Sequence, residues 1–186
     1  MPQATLTTER LVLRPLTLSD APAIQRHFGN WEIIRHLSTD VPWPYPDDGA
    51  LKFIRDVLLP SMEAGTVLVW VLVLREGPDE AFGMLEYRCG SEDTDNRGFW
   101  LSTEHQGRGY MTEAVTAFQD HIFFDLGVAE IHVFNAKGNT ASRGIKKKTG
   151  AVYVGTAEIP HHNGNNETEK WVVTREHWAE IRGRDL

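Results

Sequence analysis

The chain has 186 residues, of which 41% are hydrophobic and 24% charged, and its formal net charge is −7. This length and apolar content predict a single domain over residues 1–186 with one sizeable core. The net negative charge argues against a general nucleic-acid-binding protein, which needs a basic surface. The one cysteine, Cys89, excludes an intrachain disulfide and a cysteine-based metal site.

The first part of the chain predicts one strand and two helices. Residues 9–15 alternate well enough for a strand that ends at proline. Thr17 is placed to cap a helix that Gly29 ends. A proline-rich loop at 41–46 cannot be helical and leads to a second helix at 48–64, whose apolar residues share one face.

Residues 67–74 are apolar at every position, which predicts a central strand covered on both faces. This longest apolar run is far shorter than the roughly 20 residues that span a bilayer. The N-terminal sequence Met1-Pro2-Gln3-Ala4 has neither the basic nor the apolar part of a signal peptide. We therefore expect a cytoplasmic protein with no membrane partner.

The rest of the chain predicts alternating strands and helices of one mixed domain. The predicted strands are 81–88, 97–101, 131–134, 152–157 and 170–173, and the predicted helices are 109–126, 140–148 and a short one that begins at Thr174. The long helix carries an apolar stripe at Met111, Ala114, Val115, Phe118 and Ile122. A polar turn is expected at Ser91–Asn96, and Gly127 is placed to end the long helix.

The segment between the strand at 97–101 and the long helix has the features of a phosphate site. Gly107 and Gly109 allow backbone conformations that other residues resist. The following helix offers unpaired N–H groups and the positive end of its dipole, and Arg108 adds a cation. A glycine-containing turn that binds nothing is the alternative. A Walker loop is excluded because no Gly-Lys-Ser/Thr follows.

The sequence Gln106-Gly107-Arg108-Gly109-Tyr110-Met111 resembles the signature Gln/Arg-x-x-Gly-x-Gly/Ala of the GNAT acetyltransferase superfamily. Met111 replaces the small residue at the last position, and its place in the helical stripe predicts that it points into the core. Other segments are similar to the branch of ribosomal-protein N-terminal (alanine/serine) acetyltransferases. These segments are Leu6–Pro15, Gly98–Leu101, Gly109–Ala114, Asn139–Ser142 and Val172–Trp178.

The resemblance implies a single GNAT domain of the α+β class, with a central mixed, mostly antiparallel sheet of about seven strands and helices on both faces. It also implies acetyl-coenzyme A as the acetyl donor, with its pyrophosphate on the glycine loop. The residues that the resemblance assigns to the cofactor are Trp100, Leu101, Gln106, Gly107, Arg108, Gly109, Tyr110, Met111, Thr112, Asn139 and Ser142.

By the same resemblance, Asn139 holds the cofactor's amide arm and Ser142 lies near its sulfur, where it donates a proton to the departing thiolate. A purely structural alternative makes Asn139 the N-cap of the helix at 140–148 and places Ser142 in its first turn. Arg143 and the run Lys146–Lys148 are either a solvated face or a site for the cofactor's 3′-phosphate.

The candidates for the general base are two acidic residues and one histidine. Glu86 lies on a predicted strand, where a carboxylate needs a partner or a raised pKa. Glu158 and His161 follow the penultimate strand, where the related branch places an acidic base; we rank Glu158 and Glu86 first. Trp43 and Tyr45 are the candidates for substrate contacts, since their loop borders the acceptor site in the family.

The acceptor is expected to be a primary amine. An α-amino group with a pKa of about 7.7–8.0 is roughly 15% neutral at pH 7, whereas a lysine at about 10.4 is roughly 0.04% neutral. This difference favours a protein or peptide N-terminus. The alternatives are a polyamine, aminoglycoside or amino acid as acceptor, a non-catalytic acyl-coenzyme A sensor, or a nucleotide-binding protein. We expect a monomer or a homodimer.

Overall fold

The computed structural model describes residues 3–90 and 94–186, so the first part of the turn predicted at Ser91–Asn96 lies outside the described residues. Within them, the strands form two antiparallel sheets. The first contains, in spatial order, β1 (Leu6–Thr7), β2 (Leu11–Pro15), β3 (Val67–Leu74), β4 (Gly83–Arg88) and β5 (Arg97–Leu101). The second contains β6 (Glu130–Ala136), β8 (Glu167–Thr174) and β7 (Val152–Glu158), in that order.

The predicted α+β class with mostly antiparallel strands is confirmed, although the strands are divided between two sheets instead of one. No ladder among the described residues pairs β5 with β6. The sheets meet just before β5, where the Asn96 N–H donates to the His132 carbonyl at 2.7 Å and the His132 N–H donates to Asn96 Oδ1 at 2.7 Å.

Helices lie on both faces of the first sheet. One face carries α1 (Ala21–Phe28), α2 (Trp31–Ile34), α3 (Gly49–Phe53) and α4 (Leu59–Glu63), and the other carries α5 (Tyr110–Asp120). Next to α5 lies α6 (Thr140–Lys148), while α7 (Arg175–Arg182) packs against β8. π-Helical turns connect α3 to α4 (Ile54–Leu58) and extend α5 (His121–Asp125). None of the described helices is long and apolar enough to cross a membrane.

The central strand β3 is covered on both faces, as its uninterrupted apolar sequence predicted. Trp70 and Leu72 pack into the cluster built with α5, while Val69 and Val71 pack into the cluster built with α1 to α4. All four side chains have 0% exposure. Burial of this kind stabilises the fold by about 1.5–3 kcal/mol for each large apolar side chain.

The apolar stripe of α5 is buried as predicted, and Met111 is in the core at 4% exposure. Met111 also borders the cleft described below. At the other end of the helix, Gly127 follows the π-helical turn with φ of +70°, a conformation suited to glycine. Thr17 caps the 3-10 turn Leu18–Asp20 that leads into α1 and forms a capping box with Asp20, whereas the N-cap of α1 itself is Asp20.

Candidate active site

A cleft of about 440 Å³ opens beside β5 and is bordered by the N-terminal ends of α5 and α6. The residues predicted to bind the cofactor all line this cleft, with the exception of Arg108. The sequence pattern therefore identified residues from three separate segments that the fold brings together. The far end of the cleft is closed by residues that were not predicted, from α2 and the turn after it.

The glycine loop has the geometry of an anion site. Gly107 and Gly109 have φ of +74° and +81°, in the left-handed region that glycine tolerates and other residues disfavour. Gly109 is the N-cap of α5, so the first N–H groups of the helix are left without intrahelical acceptors. A Cβ at Gly107 would meet no atom within 4 Å, which leaves room for a pyrophosphate.

Arg10 holds the glycine loop in place. Its Nη1 donates to the Arg108 carbonyl at 3.0 Å, its Nε donates to Glu113 Oε2 at 2.7 Å, and its guanidinium lies 4.6 Å from the Tyr110 ring centroid. Burial raises the pKa of Glu113, but hydrogen bonds from Thr8 and Arg10 outweigh burial, and the net shift is downward. Glu113 is therefore ionised and paired with Arg10.

Arg108 is not part of the cleft lining, and its carbonyl accepts the hydrogen bond from Arg10. Sequence reasoning missed Arg10 and Glu113 as parts of the site. Both lie in segments that resemble the family, but their separation in sequence gave no sign that they are partners.

Asn139 is the N-cap of α6, as the structural alternative proposed. Its Oδ1 accepts the Ser142 N–H at 3.1 Å. The cap also directs both side chains to the cleft, which Asn139 and Ser142 line together. Ser142 is 8% exposed, and its Oγ accepts a hydrogen bond from Lys146 Nζ at 2.9 Å. The structural and functional roles of Asn139 are thus compatible.

The predicted roles of Lys146 are wrong: it is neither a solvated residue nor a surface contact for a phosphate, because its exposure is 1%. It lies one helical turn after Ser142, on the side of α6 that packs on β5. Arg143 is paired with Glu169 and Lys147 is exposed. Within this basic run, Lys148 lines the cleft.

Glu86 lies away from the cleft. Its neighbours Leu85 and Tyr87 pack into the cluster with α5, so the Glu86 side chain is on the opposite face of the sheet from α5. There it forms an ion pair with Arg88 at 2.9 Å. Burial raises the pKa of Glu86, and Arg88 opposes this shift. The structure does not bring Glu86 to Ser142.

The remaining predicted residues lie outside the cleft lining. Glu158 is the exposed last residue of β7, and the His161 Nδ1 lies 3.0 Å from the Asn165 carbonyl oxygen. Trp43 packs against Trp31, with ring centroids 5.1 Å apart. Tyr45 packs against Phe28 at 5.2 Å, as part of the core cluster of α1 to α4.

Glu32, Ile33, His36 and Leu37 form the unpredicted end of the cleft. The connection between β7 and β8 supports them, because the Thr39 N–H donates to the Pro160 carbonyl at 3.0 Å and other backbone bonds join the same two segments. Burial lowers the pKa of His36, Arg35 acts in the same direction and Glu32 opposes it. Its Nδ1 is buried without a hydrogen-bond partner among the described residues.

No group of three or more His, Cys, Asp or Glu side chains within residues 3–90 and 94–186 is arranged to hold a metal ion. The cleft therefore offers an anion-binding loop, a serine hydroxyl and an imidazole with a lowered pKa.

A sequence profile described as an acetyltransferase (GNAT) domain matches residues 10–152, which is most of the chain. The chain belongs to the GNAT acetyltransferase family. It is therefore an acyltransferase, and its family uses acetyl-coenzyme A as the donor. A relative, the uncharacterized N-acetyltransferase p20 of Bacillus licheniformis, is 24% identical over 140 residues, which are 74% of this chain and 76% of the relative.

Two solved structures extend the comparison. The ribosomal-protein-S5-alanine acetyltransferase of Vibrio fischeri has a TM-score of 0.78 at 17% identity, covering 95% of this chain and 99% of that chain. RimL, a ribosomal L7/L12 alpha-N-protein acetyltransferase in complex with coenzyme A, has a TM-score of 0.77 at 16% identity, covering 92% and 98%. These likenesses establish the GNAT fold.

Proposed function

We propose that this chain, as a single domain, transfers the acetyl group of acetyl-coenzyme A to the α-amino group of a protein or peptide N-terminus. One observation carries the proposal: the glycine loop, Ser142 and the two residues Glu32 and His36 line the same cleft. Such a cleft provides a phosphate site, a proton donor and polar groups for an amine, which are the parts that acetyl transfer needs.

The residues present fit acetyl-coenzyme A. The glycines of the loop and the free N–H groups of α5 suit its pyrophosphate, and Asn139 suits its amide arm. Lys148, in the cleft lining, supplies a local cation against the overall charge of −7. When bound, acetyl-coenzyme A supplies an activated thioester, and Ser142 donates its hydroxyl proton toward the sulfur.

An N-terminal amine is favoured over a lysine side chain because it is more often neutral at pH 7. The difference of about 2.5 in pKa corresponds to about 3.5 kcal/mol of deprotonation free energy. The names of the two ribosomal-protein acetyltransferases that share the fold also support a protein acceptor. A small-molecule amine is the second candidate, since the cleft is open and carries a carboxylate at its acceptor end.

Position favours His36 for removing the amine's proton. It lines the cleft, whereas the predicted bases Glu86 and Glu158 do not. Its lowered pKa keeps the imidazole neutral at pH 7, the form that accepts a proton. Its unpartnered Nδ1 is also free for a new hydrogen bond.

The experiment that tests the proposed function is acetyl-coenzyme A-dependent thiol release with two acceptor pools. One pool contains peptides with free α-amino groups, with matched peptides acetylated at the N-terminus as the control. The other contains polyamines and aminoglycosides. We expect turnover with the free peptides alone. Turnover with small amines alone would favour the second candidate, and absence of acetyl-coenzyme A binding by the folded protein would overturn the proposal.

A further inference from the structure

Lys146 is a buried lysine held against the proposed proton donor. It follows Ser142 by four residues on α6, so the two side chains lie on the same face of the helix. Lys146 Nζ lies 2.9 Å from Ser142 Oγ, and the residue is 1% exposed. No carboxylate among the described residues lies within ion-pair distance of Nζ. Lysines are almost never fully buried unless they are paired.

The groups around Lys146 come from each element packed against it. Arg97 of β5 is a buried cation whose Nη1 donates to Gln119 Oε1 at 2.7 Å, and the Phe99 ring centroid lies 5.8 Å from Nζ. Asp95, before β5, and Glu169, on β8, are the nearby acids. Burial and then Arg97 lower the pKa of Lys146 to about 7, against the opposing effect of the two carboxylates.

We propose that Lys146 is a positioning residue that, through the hydroxyl of Ser142, supplies the proton taken up by the sulfur of coenzyme A as the acetyl group leaves. This inference rests on the proposed function. It assigns a role in the cleft to a side chain that does not itself line the cleft.

The ammonium form of Lys146 has hydrogen-bond donors and no acceptor, so it bonds to a lone pair of Ser142 Oγ. The hydroxyl proton of Ser142 is then free to point into the cleft. A serine whose hydroxyl is not held in this way has no fixed direction for its proton. The pair therefore orients a donor at the atom where negative charge develops during transfer.

The proposed step conserves protons and electrons. As the carbon–sulfur bond breaks, its electron pair stays on sulfur, Ser142 gives its hydroxyl proton to sulfur, and Lys146 gives an ammonium proton to Ser142 Oγ. Lys146 is left as a neutral amine and recovers a proton, through solvent, from the one released by the acceptor amine. A thiol has an ordinary pKa of about 8.5, so transfer from a lysine with a pKa of about 7 is downhill.

The test uses coenzyme A and needs no acceptor. The ionisation of the bound thiol is followed by the ultraviolet absorbance of its thiolate, with the complex of desulfo-coenzyme A subtracted. A thiolate beside Lys146 favours the ammonium form of the amine, and that ammonium in turn stabilises the thiolate, so we expect Lys146→Met to raise the midpoint of thiolate formation measurably but by less than about 1 pH unit. Lys146→Arg keeps a cation at every pH, so it should lower this midpoint at least as far as the wild-type lysine does.

Lys147→Met is the matched control, because Lys147 is the next residue of the same helix but is exposed and off the cleft. We expect this variant to leave the pKa of the bound thiol unchanged.

A second readout is turnover with an amine that the enzyme acetylates. Lys146→Met should lower kcat about tenfold while the Kd for acetyl-coenzyme A changes less than about twofold. In a Ser142→Ala background, Lys146→Met should change kcat no further, because it acts through Ser142.

Either of two results would overturn this inference while leaving the proposed function intact. One is an unchanged pKa of the bound thiol in folded Lys146→Met. The other is a loss of kcat on Lys146→Met that is equally large in the wild-type and Ser142→Ala backgrounds. Methionine has similar length and fits a buried position, and circular dichroism establishes that the variant is folded. Failure of the wild-type protein to bind coenzyme A would instead overturn the proposed function, and this inference with it.

Discussion

The imidazole of His36 lies with the Glu32 carboxylate at the end of the cleft that we propose for the acceptor. Burial has the largest effect on its pKa and lowers it; Arg35 adds to this effect and Glu32 counteracts it. A base works in its neutral form, which is present above the folded pKa and lost as the pH falls through it. His36 should therefore lose its ability to accept a proton only below its usual pKa of about 6.5.

Replacing His36 with glutamine is expected to lower kcat/KM for a peptide acceptor about 100-fold at pH 7.5, since general-base catalysis contributes that much or more. The measurement is the ratio of the wild-type kcat/KM to the variant kcat/KM between pH 5 and 8. Ionisation of the acceptor affects both enzymes equally and therefore cancels in this ratio. The ratio should fall toward about 1 as His36 is protonated at low pH.

His132→Gln is the matched control for this prediction. His132 also has a buried Nδ1 without a described partner, but it lies on β6 outside the cleft lining. We expect a pH-independent ratio near 1 for this variant. Wild-type kcat/KM in His36→Gln at every pH would mean that His36 is not the base.

Residue type alone does not reveal which lysine of the run at 146–148 is buried. The inward face of α6 includes Ser142, Lys146 and Thr149, a spacing of four and three residues. That spacing was visible in the sequence. Three consecutive lysines nevertheless indicate a solvated face, and the partners that accommodate a buried amine come from distant strands. The position of Lys146 thus depends on tertiary packing that the local pattern does not contain.

At the scale of elements, the glycine loop combines backbone conformation with an external clamp. Gly107 and Gly109 supply the left-handed conformations, while Arg10 of the segment between β1 and β2 fixes the loop from outside. The phosphate site should therefore depend on the backbone geometry of the loop more than on any of its side chains.

Gly107→Ala is expected to weaken acetyl-coenzyme A binding at least tenfold by calorimetry. A Cβ at Gly107 has free space in the empty cleft but a φ of +74°, so alanine either strains the loop or shifts it away from its anion-binding geometry. It would also occupy space that the cofactor needs.

Gly127→Ala provides a matched control, because Gly127 has a similar φ of +70°, the same free space and a position beyond the far end of α5. Both variants should lose a similar free energy of unfolding, about 1 kcal/mol. Only Gly107→Ala should lose affinity. Equal affinities of the two variants would mean that the loop is not the phosphate site.

Three elements were predicted with accurate bounds, whereas the strand predicted at 170–173 extends over Glu167–Thr174 and the shortest elements were missed. The strands at 67–74 and 97–101 and the helix at 140–148 have the bounds expected from their patterns. The two-residue β1 and the four-residue α2 are too short to show a period. Because α2 and the turn after it form one end of the cleft, that end could not be predicted, whereas the part lined by the glycine loop and the start of α6 could.

At the scale of the whole molecule, the net charge acts in opposite directions on the two substrates. The net charge of −7 attracts a cationic acceptor at long range and repels the anionic cofactor, which the local anion site must hold. Glu32 at the acceptor end of the cleft acts in the same sense as the overall field. The acceptor should thus experience attraction both at a distance and in the cleft.

This field predicts opposite salt responses for two acceptor peptides that share their first residues but carry either lysines or glutamates further along. Raising ionic strength from about 0.01 M to 0.15 M shortens the Debye length from about 30 Å to about 8 Å and screens the field. The kcat/KM of the lysine peptide should then fall several-fold, because steering is lost, while that of the glutamate peptide should rise. Initial rates at fixed pH and saturating acetyl-coenzyme A provide the measurement. A fall of equal size for both peptides would trace the salt effect to the cofactor site and remove the electrostatic argument for a cationic acceptor.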